Sequence, residues 1–308
     1  MPEPSIPPLL APALKPGDRI GVAAPAGPFP RDRFEMGLER LKNLGFQVEI
    51  PPGVFRKNGF LAGTDEERAA GLTAMFADPN VKAVIAARGG YGCMRLLDRI
   101  DFETLSHPPK ILLGFSDITA LLLAFQKKTG MVGIHGPVVT SLSDADDATL
   151  SHLKGLLTGR RVFPIQPQEM RAMRPGRVEG RLLGGNLTLL VHLLATPYVP
   201  NLDGAILFLE DVSEASYRLD RLLITLKLAG LWDNLAGVIL GDFNQCGPPE
   251  EIRDITQRVF SDFPGPVVTG FPIGHGARNL ALPVGARAVL DADAGILDII
   301  EPYLMPMP

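Results

Sequence analysis

Between residues 17 and 159 short apolar runs alternate with segments of helical spacing, and that beat restricts the chain to very few folds. Residues 20–24 read as a buried strand, after which Phe34, Leu38 and Leu41 recur at helical spacing until Gly45. Residues 46–50 form the second expected strand. Thr64-Asp-Glu-Glu67 is a capping box opening a helix that runs towards Phe76, with Pro79 just beyond it. Residues 81–87 are a third strand, followed by a helix through Met94, Leu96 and Leu97. Residues 111–115 are a fourth, followed by a helix through Leu121, Leu122 and Phe125. Residues 131–135 read as a fifth strand and 150–157 as a closing helix. Nearly continuous apolar strands alternating with helices specify a parallel sheet covered on both faces. The expected fold class is therefore α/β, an open parallel sheet of Rossmann or flavodoxin-like type. Such sheets hold ligands at the carboxyl ends of their strands. That singles out three loops, at residues 25–28, 88–92 and 115–117.

The rhythm breaks at residues 160–176, where Arg160-Arg161 and three prolines (Pro164, Pro167, Pro175) read as a linker. Beyond it, strand-like segments at 205–209, 237–240, 267–270, 286–290 and 296–300 mix with helices at 186–195 and 216–229. The tail from Pro283 reads as a hairpin. A chain of 308 residues is near or beyond the size at which one hydrophobic core stops growing. Two domains are expected: an α/β domain at 1–160, a linker at 161–176, and an α+β domain with a mixed sheet or barrel at 177–308. There is no internal repeat.

Hydrophobic residues make up 46% and charged ones 21%, as in soluble globular proteins. A formal charge of −4 with no basic cluster argues against a nucleic-acid partner. Cys93 and Cys246 are too few for a disulfide framework and wrongly spaced for zinc, so both are expected as small buried side chains. The N-terminal Met-Pro-Glu-Pro-Ser-Ile-Pro-Pro lacks the basic start and unbroken apolar stretch of a signal peptide. No apolar run approaches the ~20 residues of a membrane span. The expectation is a soluble intracellular protein without a membrane partner.

Ser116, in Gly114-Phe-Ser-Asp-Ile-Thr119, follows a buried strand and opens a helix. A serine there exposes its hydroxyl above the sheet edge, with helical N–H groups behind it for an oxyanion. A plain helix N-cap would use the same residue. Ile118 also stands where the usual nucleophile elbow has glycine. Arg88-Gly-Gly-Tyr-Gly92 reads either as a tight turn or as a loop aiming N–H groups at an anion. Glu210 ends an apolar strand and is followed by Asp211, and the sequence leaves open which carboxylate points inward. His275, in Phe271-Pro-Ile-Gly-His-Gly276, sits in a fixed loop rather than on a helix face. Histidine is the side chain suited to proton transfer near neutral pH. His135, before Gly136-Pro137, is its rival. Ser116, a carboxylate and His275 form an activated-nucleophile set in the chain order Ser, Glu, His. The sequence contains no His-Glu-x-x-His and no Cys-x-x-Cys, so no metal or other cofactor is expected.

Ala87-Arg-Gly-Gly-Tyr-Gly92, Gly114-Phe-Ser-Asp-Ile-Thr119, Leu209-Glu-Asp-Val212 and Gly274-His-Gly276 followed by Leu282-Pro-Val-Gly285 together resemble the LD-carboxypeptidase family of serine peptidases. Leu183-Gly-Gly-Asn-Leu-Thr188, Tyr217-Arg-Leu-Asp-Arg221 and Val238-Ile-Leu-Gly-Asp-Phe243 extend the similarity from about Lys15 to the C-terminus. The resemblance implies two domains with the site between them, a metal-free Ser116–Glu210–His275 triad and a homodimer. It also implies oxyanion donors at the N–H groups of Asp117 and, from the glycine loop, Gly90 or its neighbour Gly89. A terminal carboxylate must also be held, for which Arg88, beside Gly89, is the candidate cation, although a strand-end arginine serves equally as a structural ion-pair partner. The implied substrate is a muropeptide, the murein tetrapeptide, which loses its terminal D-alanine in the cytoplasm. An alternative within the family is the microcin-immunity branch, which cleaves toxins resembling aminoacyl-adenylates and would need an aromatic platform, for which Trp232 is the sole tryptophan. A non-catalytic two-domain ligand binder would have no use for all three triad residues. One departure is Ser216, where proline is expected before Tyr217.

Overall fold

The computed structural model describes residues 6–305. The first five residues of the N-terminal stretch discussed above lie outside the described residues, as do 306–308. Strands β1 (Arg19–Ala23), β2 (Gln47–Glu49), β3 (Val81–Ala86), β4 (Ile111–Gly114) and β5 (Gly133–His135) pair in parallel in the order β2-β1-β3-β4-β5. This is the flavodoxin-like order, whose switch point lies between β1 and β3. Every residue of β4 and β5 is buried, and so are all but the first of β1. Successive side chains point to opposite faces, so both faces of the sheet are covered, as the apolar runs specified. The capping box forms at the helix Asp65–Ala77, with Thr64 Oγ1 accepting from the Glu67 N–H at 3.2 Å and Glu67 Oε2 from the Thr64 N–H at 2.9 Å.

The remaining strands are β6 (Arg171–Arg174), β7 (Arg177–Asn186), β8 (Ile206–Val212), β9 (Gly237–Asn244), β10 (Val267–Thr269), β11 (Leu282–Val284), β12 (Arg287–Asp291) and β13 (Ile296–Ile299). All but β11 form a second, mixed sheet in the order β13-β12-β7-β8-β9-β10-β6. Its centre, β7 to β10, is parallel, and the antiparallel strands β12, β13 and β6 flank it. The expected C-terminal hairpin is β12–β13, but β11 leaves the second sheet and pairs antiparallel with β5. Two strands of this sheet escaped the sequence reading, as did the helix Pro249–Val259. β7 carries polar and glycine residues through much of its length, and β6 lies inside the stretch expected as a linker. Among the described residues no helix is long and apolar enough to cross a membrane.

One buried cation ties the first sheet's loops together. Arg68 is 3% exposed on the helix Asp65–Ala77. Its guanidinium donates to the carbonyl of Pro25, beyond β1, to that of Gly92 at 3.0 Å, beyond β3, and to Asp65 at 2.5 Å. Replacing it with an apolar chain leaves buried carbonyls without donors, which is where removal of a buried charge becomes costly. We expect Arg68→Met to lower unfolding free energy by about 3 kcal/mol in chemical denaturation. Asp65, which also accepts from Arg95 at 2.9 and 2.7 Å, keeps that partner.

Candidate active site

The site is built where β3 and β4 end. Ser116 follows β4 and adopts φ 62°, a left-handed conformation that few non-glycine residues take. Strain of this kind persists where the surrounding structure over-determines it, and here the next residue supplies an anchor. Asp117 is buried and its Oδ2 accepts from the Cys93 N–H at 2.7 Å, which fastens the Ser116 turn to the loop after β3. Burial raises the Asp117 pKa, with the Cys93 N–H opposing. The two loops touch. A Cβ built on Gly89 would lie 2.8 Å from Ser116 Cβ, so only glycine lets this backbone lie flush against the serine. Ser116 is therefore not an N-cap: it makes no capping hydrogen bond and stands one residue inside a 3₁₀ turn, Ser116–Ile118.

Glu210 and His275 arrive from the second sheet. Glu210 lies in β8, fully buried, at a register shift between Leu209 and Asp211 in the pairing with β9. Bulges of this kind re-aim side chains beside functional sites. Its Oε2 meets His275 Nδ1 at 2.6 Å. A neutral imidazole so held carries its proton on Nδ1 and leaves Nε2 as an acceptor. Burial raises the Glu210 pKa, and the hydrogen bond and charge of His275 oppose that rise. Gly274, at φ 104°, makes the approach possible, since a Cβ there would fall 2.5 Å from Glu210 Oε2. The imidazole is 18% exposed and packs on Phe115 at 4.7 Å between ring centroids.

The neighbouring carboxylate has another task. Asp211 accepts from Asn186 Nδ2 at 2.8 Å, from the Thr188 N–H at 3.0 Å and from Thr188 Oγ1 at 2.7 Å, holding the start of the helix Leu187–Leu193. His135, the rival histidine, is fully buried between Phe115 and Phe208, and its two ring nitrogens find no hydrogen-bond partner among the described residues. Burial, with the charge of His275 adding to it, lowers its pKa to about 3, so it stays neutral at physiological pH. Ser216 begins the helix Ser216–Leu228 at the first helical position, where proline's missing N–H would go unused, so serine fits there equally well.

Ser116, His275, Gly89, Gly90 and Arg88 line one cleft of about 520 Å³, together with Phe115, Arg33 and Thr140. Arg88 donates to the Pro28 carbonyl at 2.5 Å and makes no ion pair among the described residues, whereas Arg33 is engaged by Asp144 and Ser143. Sequence reasoning missed Arg33 and also Asp242, which lies beside Glu210 and His275. Asp242 carried a visible signal in the carboxylate of Val238-Ile-Leu-Gly-Asp-Phe243, which ends an apolar run as Glu210 does. Trp232 is buried and stacked on Phe260 at 4.9 Å. Both cysteines are buried and free, and among the described residues no group of three or more His, Cys, Asp or Glu is placed to hold a metal ion.

Comparison with known proteins identifies the family of the chain as a whole. Residues 20–136 match the LD-carboxypeptidase N-terminal domain and residues 179–290 the LD-carboxypeptidase C-terminal domain. The chain is 36% identical to the murein tetrapeptide carboxypeptidase of Pseudomonas aeruginosa, over 89% of this chain and 94% of that protein. It is 30% identical to the microcin C7 self-immunity protein MccF of Escherichia coli, over 96% and 97%. Among solved structures, MccF in complex with glutamyl sulfamoyl guanosine superposes with a TM-score of 0.90 at 28% identity, covering 96% of this chain and all of that one. The paired matches, in order and across both sheets, mean that this chain belongs to the LD-carboxypeptidase family of peptidases.

Proposed function

We propose that the protein is a serine carboxypeptidase that hydrolyses the L,D-peptide bond holding the terminal D-alanine of a murein tetrapeptide. In this reading Ser116 is the nucleophile, His275 the base and Glu210 the carboxylate that orients it. One observation carries it: a serine at φ 62° above a parallel sheet edge shares a cleft with a histidine whose other nitrogen a buried carboxylate holds at 2.6 Å. His275 Nε2 takes the Ser116 proton as Oγ attacks the carbonyl. The N–H groups of Asp117 and Gly90 face the oxyanion. The tetrahedral intermediate collapses, His275 passes its proton to the departing amine of D-alanine, and an acyl-enzyme remains. Water, losing a proton to His275, then releases the shortened peptide.

Arg88 is the cation for the terminal carboxylate, since it lines the cleft without an ion pair among the described residues. The reading extends to a homodimer and to cytoplasmic turnover of cell-wall fragments, on the strength of the family resemblance. Sedimentation and cell fractionation test those two. Against the microcin-immunity reading, Trp232 is spent on packing with Phe260 and Phe263 and is unavailable as a nucleobase platform. Mass spectrometry of purified protein with murein tetrapeptide and, in parallel, an aminoacyl-adenylate-like toxin separates the two. Release of D-alanine is the expected result, and cleavage of the toxin alone would overturn it.

Ser116→Ala should leave the circular dichroism unchanged and lower turnover by several orders of magnitude, as loss of a triad nucleophile does. Activity within about tenfold of the parent would exclude Ser116. Glu210→Gln should cut kcat by up to ~10⁴ with little change in KM, because the carboxylate acts on the base and not on the peptide. Asp211→Asn should do the opposite, lowering Tm through the lost anchor of Asn186 and Thr188 while sparing kcat. Should Asp211→Asn prove the more damaging to kcat in folded protein, the two roles are exchanged. Arg88→Ala should raise KM roughly tenfold or more with kcat nearly intact, the pattern of lost uniform binding. An unchanged KM removes Arg88 from substrate binding.

A further inference from the structure

β9 ends beneath the loop that carries His275, and several contacts fasten the two together. The Asp242 N–H donates to the Ile273 carbonyl at 3.0 Å. Two residues on, Asn244 Nδ2 donates to the His275 carbonyl at 2.7 Å. The Asp242 carboxylate lies against Gly276, where a built Cβ would fall 2.0 Å from Asp242 Oδ2, and the nearby Gly276 N–H favours its charged form. The carboxylate thus sits flush against the residue after the histidine. On its other side is Glu210, whose Oε1 is buried without a hydrogen-bond partner among the described residues.

We infer that Asp242 is a positioning residue for His275, and that its ionised form is the one competent for proton transfer. The inference rests on the triad reading given above. As an anion, Asp242 is favoured by the Gly276 N–H beside it and adds a second negative charge beside the imidazolium that forms in the transition state. Once protonated it loses both effects. The groups that face it are Glu210 from β8 and His275 with the Gly276 N–H from the loop; β10, on the other flank of β9, offers only Val267, Val268 and Thr269.

Burial first, and the charge of Glu210 second, raise the Asp242 pKa to about 6. The unfolded chain would release this proton near ~3.9, so the native state binds it more tightly across that window. Folding stability therefore falls as pH rises from about 4 through about 6, and the charged aspartate is held at neutral pH against the fold's own preference. A group serving only structure would show the opposite cost when neutralised.

The test compares the parent with Asp242→Asn, which keeps the shape and an acceptor for Gly276 but cannot ionise. We expect kcat to fall about tenfold with KM nearly unchanged, an effect of the size that a positioned charge beside a general base contributes. The acid limb of the kcat profile should show two ionisations in the parent and one in the variant. Tm at pH 7.5 should be equal to or above the parent's, with the difference shrinking towards pH 4. Gly276→Ala, whose new methyl group would displace the carboxylate, should reproduce the kcat loss in folded protein. His275→Ala is the control. If it retains activity, the triad reading falls and this inference with it. If it is inactive while Asp242→Asn keeps the parent's kcat and two-ionisation limb, Asp242 has no such role and the triad stands. A lowered Tm with an unaltered acid limb would likewise overturn the inference, because that is the signature of packing alone.

Discussion

The site depends on a chain crossing. The loop that carries His275 leaves the second sheet after β10 and ends in β11, which hydrogen-bonds antiparallel to β5 of the first sheet. The histidine is thus strung between two sheets, one supplying the serine and the other the carboxylate. Within that span Asn279 Oδ1 accepts from the Gly274 N–H at 3.0 Å, and Leu280 N donates to the Pro272 carbonyl at 2.9 Å. The loop is closed on itself before it meets Glu210. In the proposed mechanism a base that serves a nucleophile from a different sheet needs such pre-organisation, since small displacements cost proton-transfer geometry.

Burial shapes the electrostatics around that loop. Glu210 lies wholly out of water, which favours its neutral form, yet its bond to His275 favours the charged one. In the proposed mechanism a buried carboxylate facing an imidazole at 2.6 Å stabilises the cation that proton abstraction creates. Asp117 and Asp242 are held under related conditions, each with its carboxylate turned to a backbone N–H, of Cys93 and of Gly276. Three acidic side chains therefore brace the two loops and the strand end that converge on the cleft: Glu210 and Asp117 by accepting hydrogen bonds, and Asp242 by lying flush against Gly276.

The first sheet was readable because its chemistry is local. A fully buried parallel strand must be apolar on both faces, so β1, β3, β4 and β5 announce themselves as continuous apolar runs. The same logic failed for β7, whose Arg177, Glu179 and Arg181 interrupt the pattern where the strand pairs with β12 in the hairpin. It failed for β6 too, an edge strand of four residues, two of them arginines, that β10 alone recruits. Such strands form because a neighbour offers free backbone groups, and their own residues carry little trace of it.

At the site, residue type and motif order put forward Ser116, Glu210 and His275 as the candidate set, since a hydroxyl, an imidazole and a carboxylate are recognisable from their chemistry and from the family motifs around them. Which of Glu210 and Asp211 faces the histidine was not legible in the residues themselves, because a bulge in the β8–β9 pairing sets the direction of side chains there. His135 competed with His275 on sequence and lost on burial, sealed between two phenylalanines. Arg33 and Asp242 join the cleft and its supports from residues far away in the chain. A sequence encodes what each segment can bury and what each side chain can do. Distances between segments, and the water excluded when they meet, exist only once the two sheets have closed around β11.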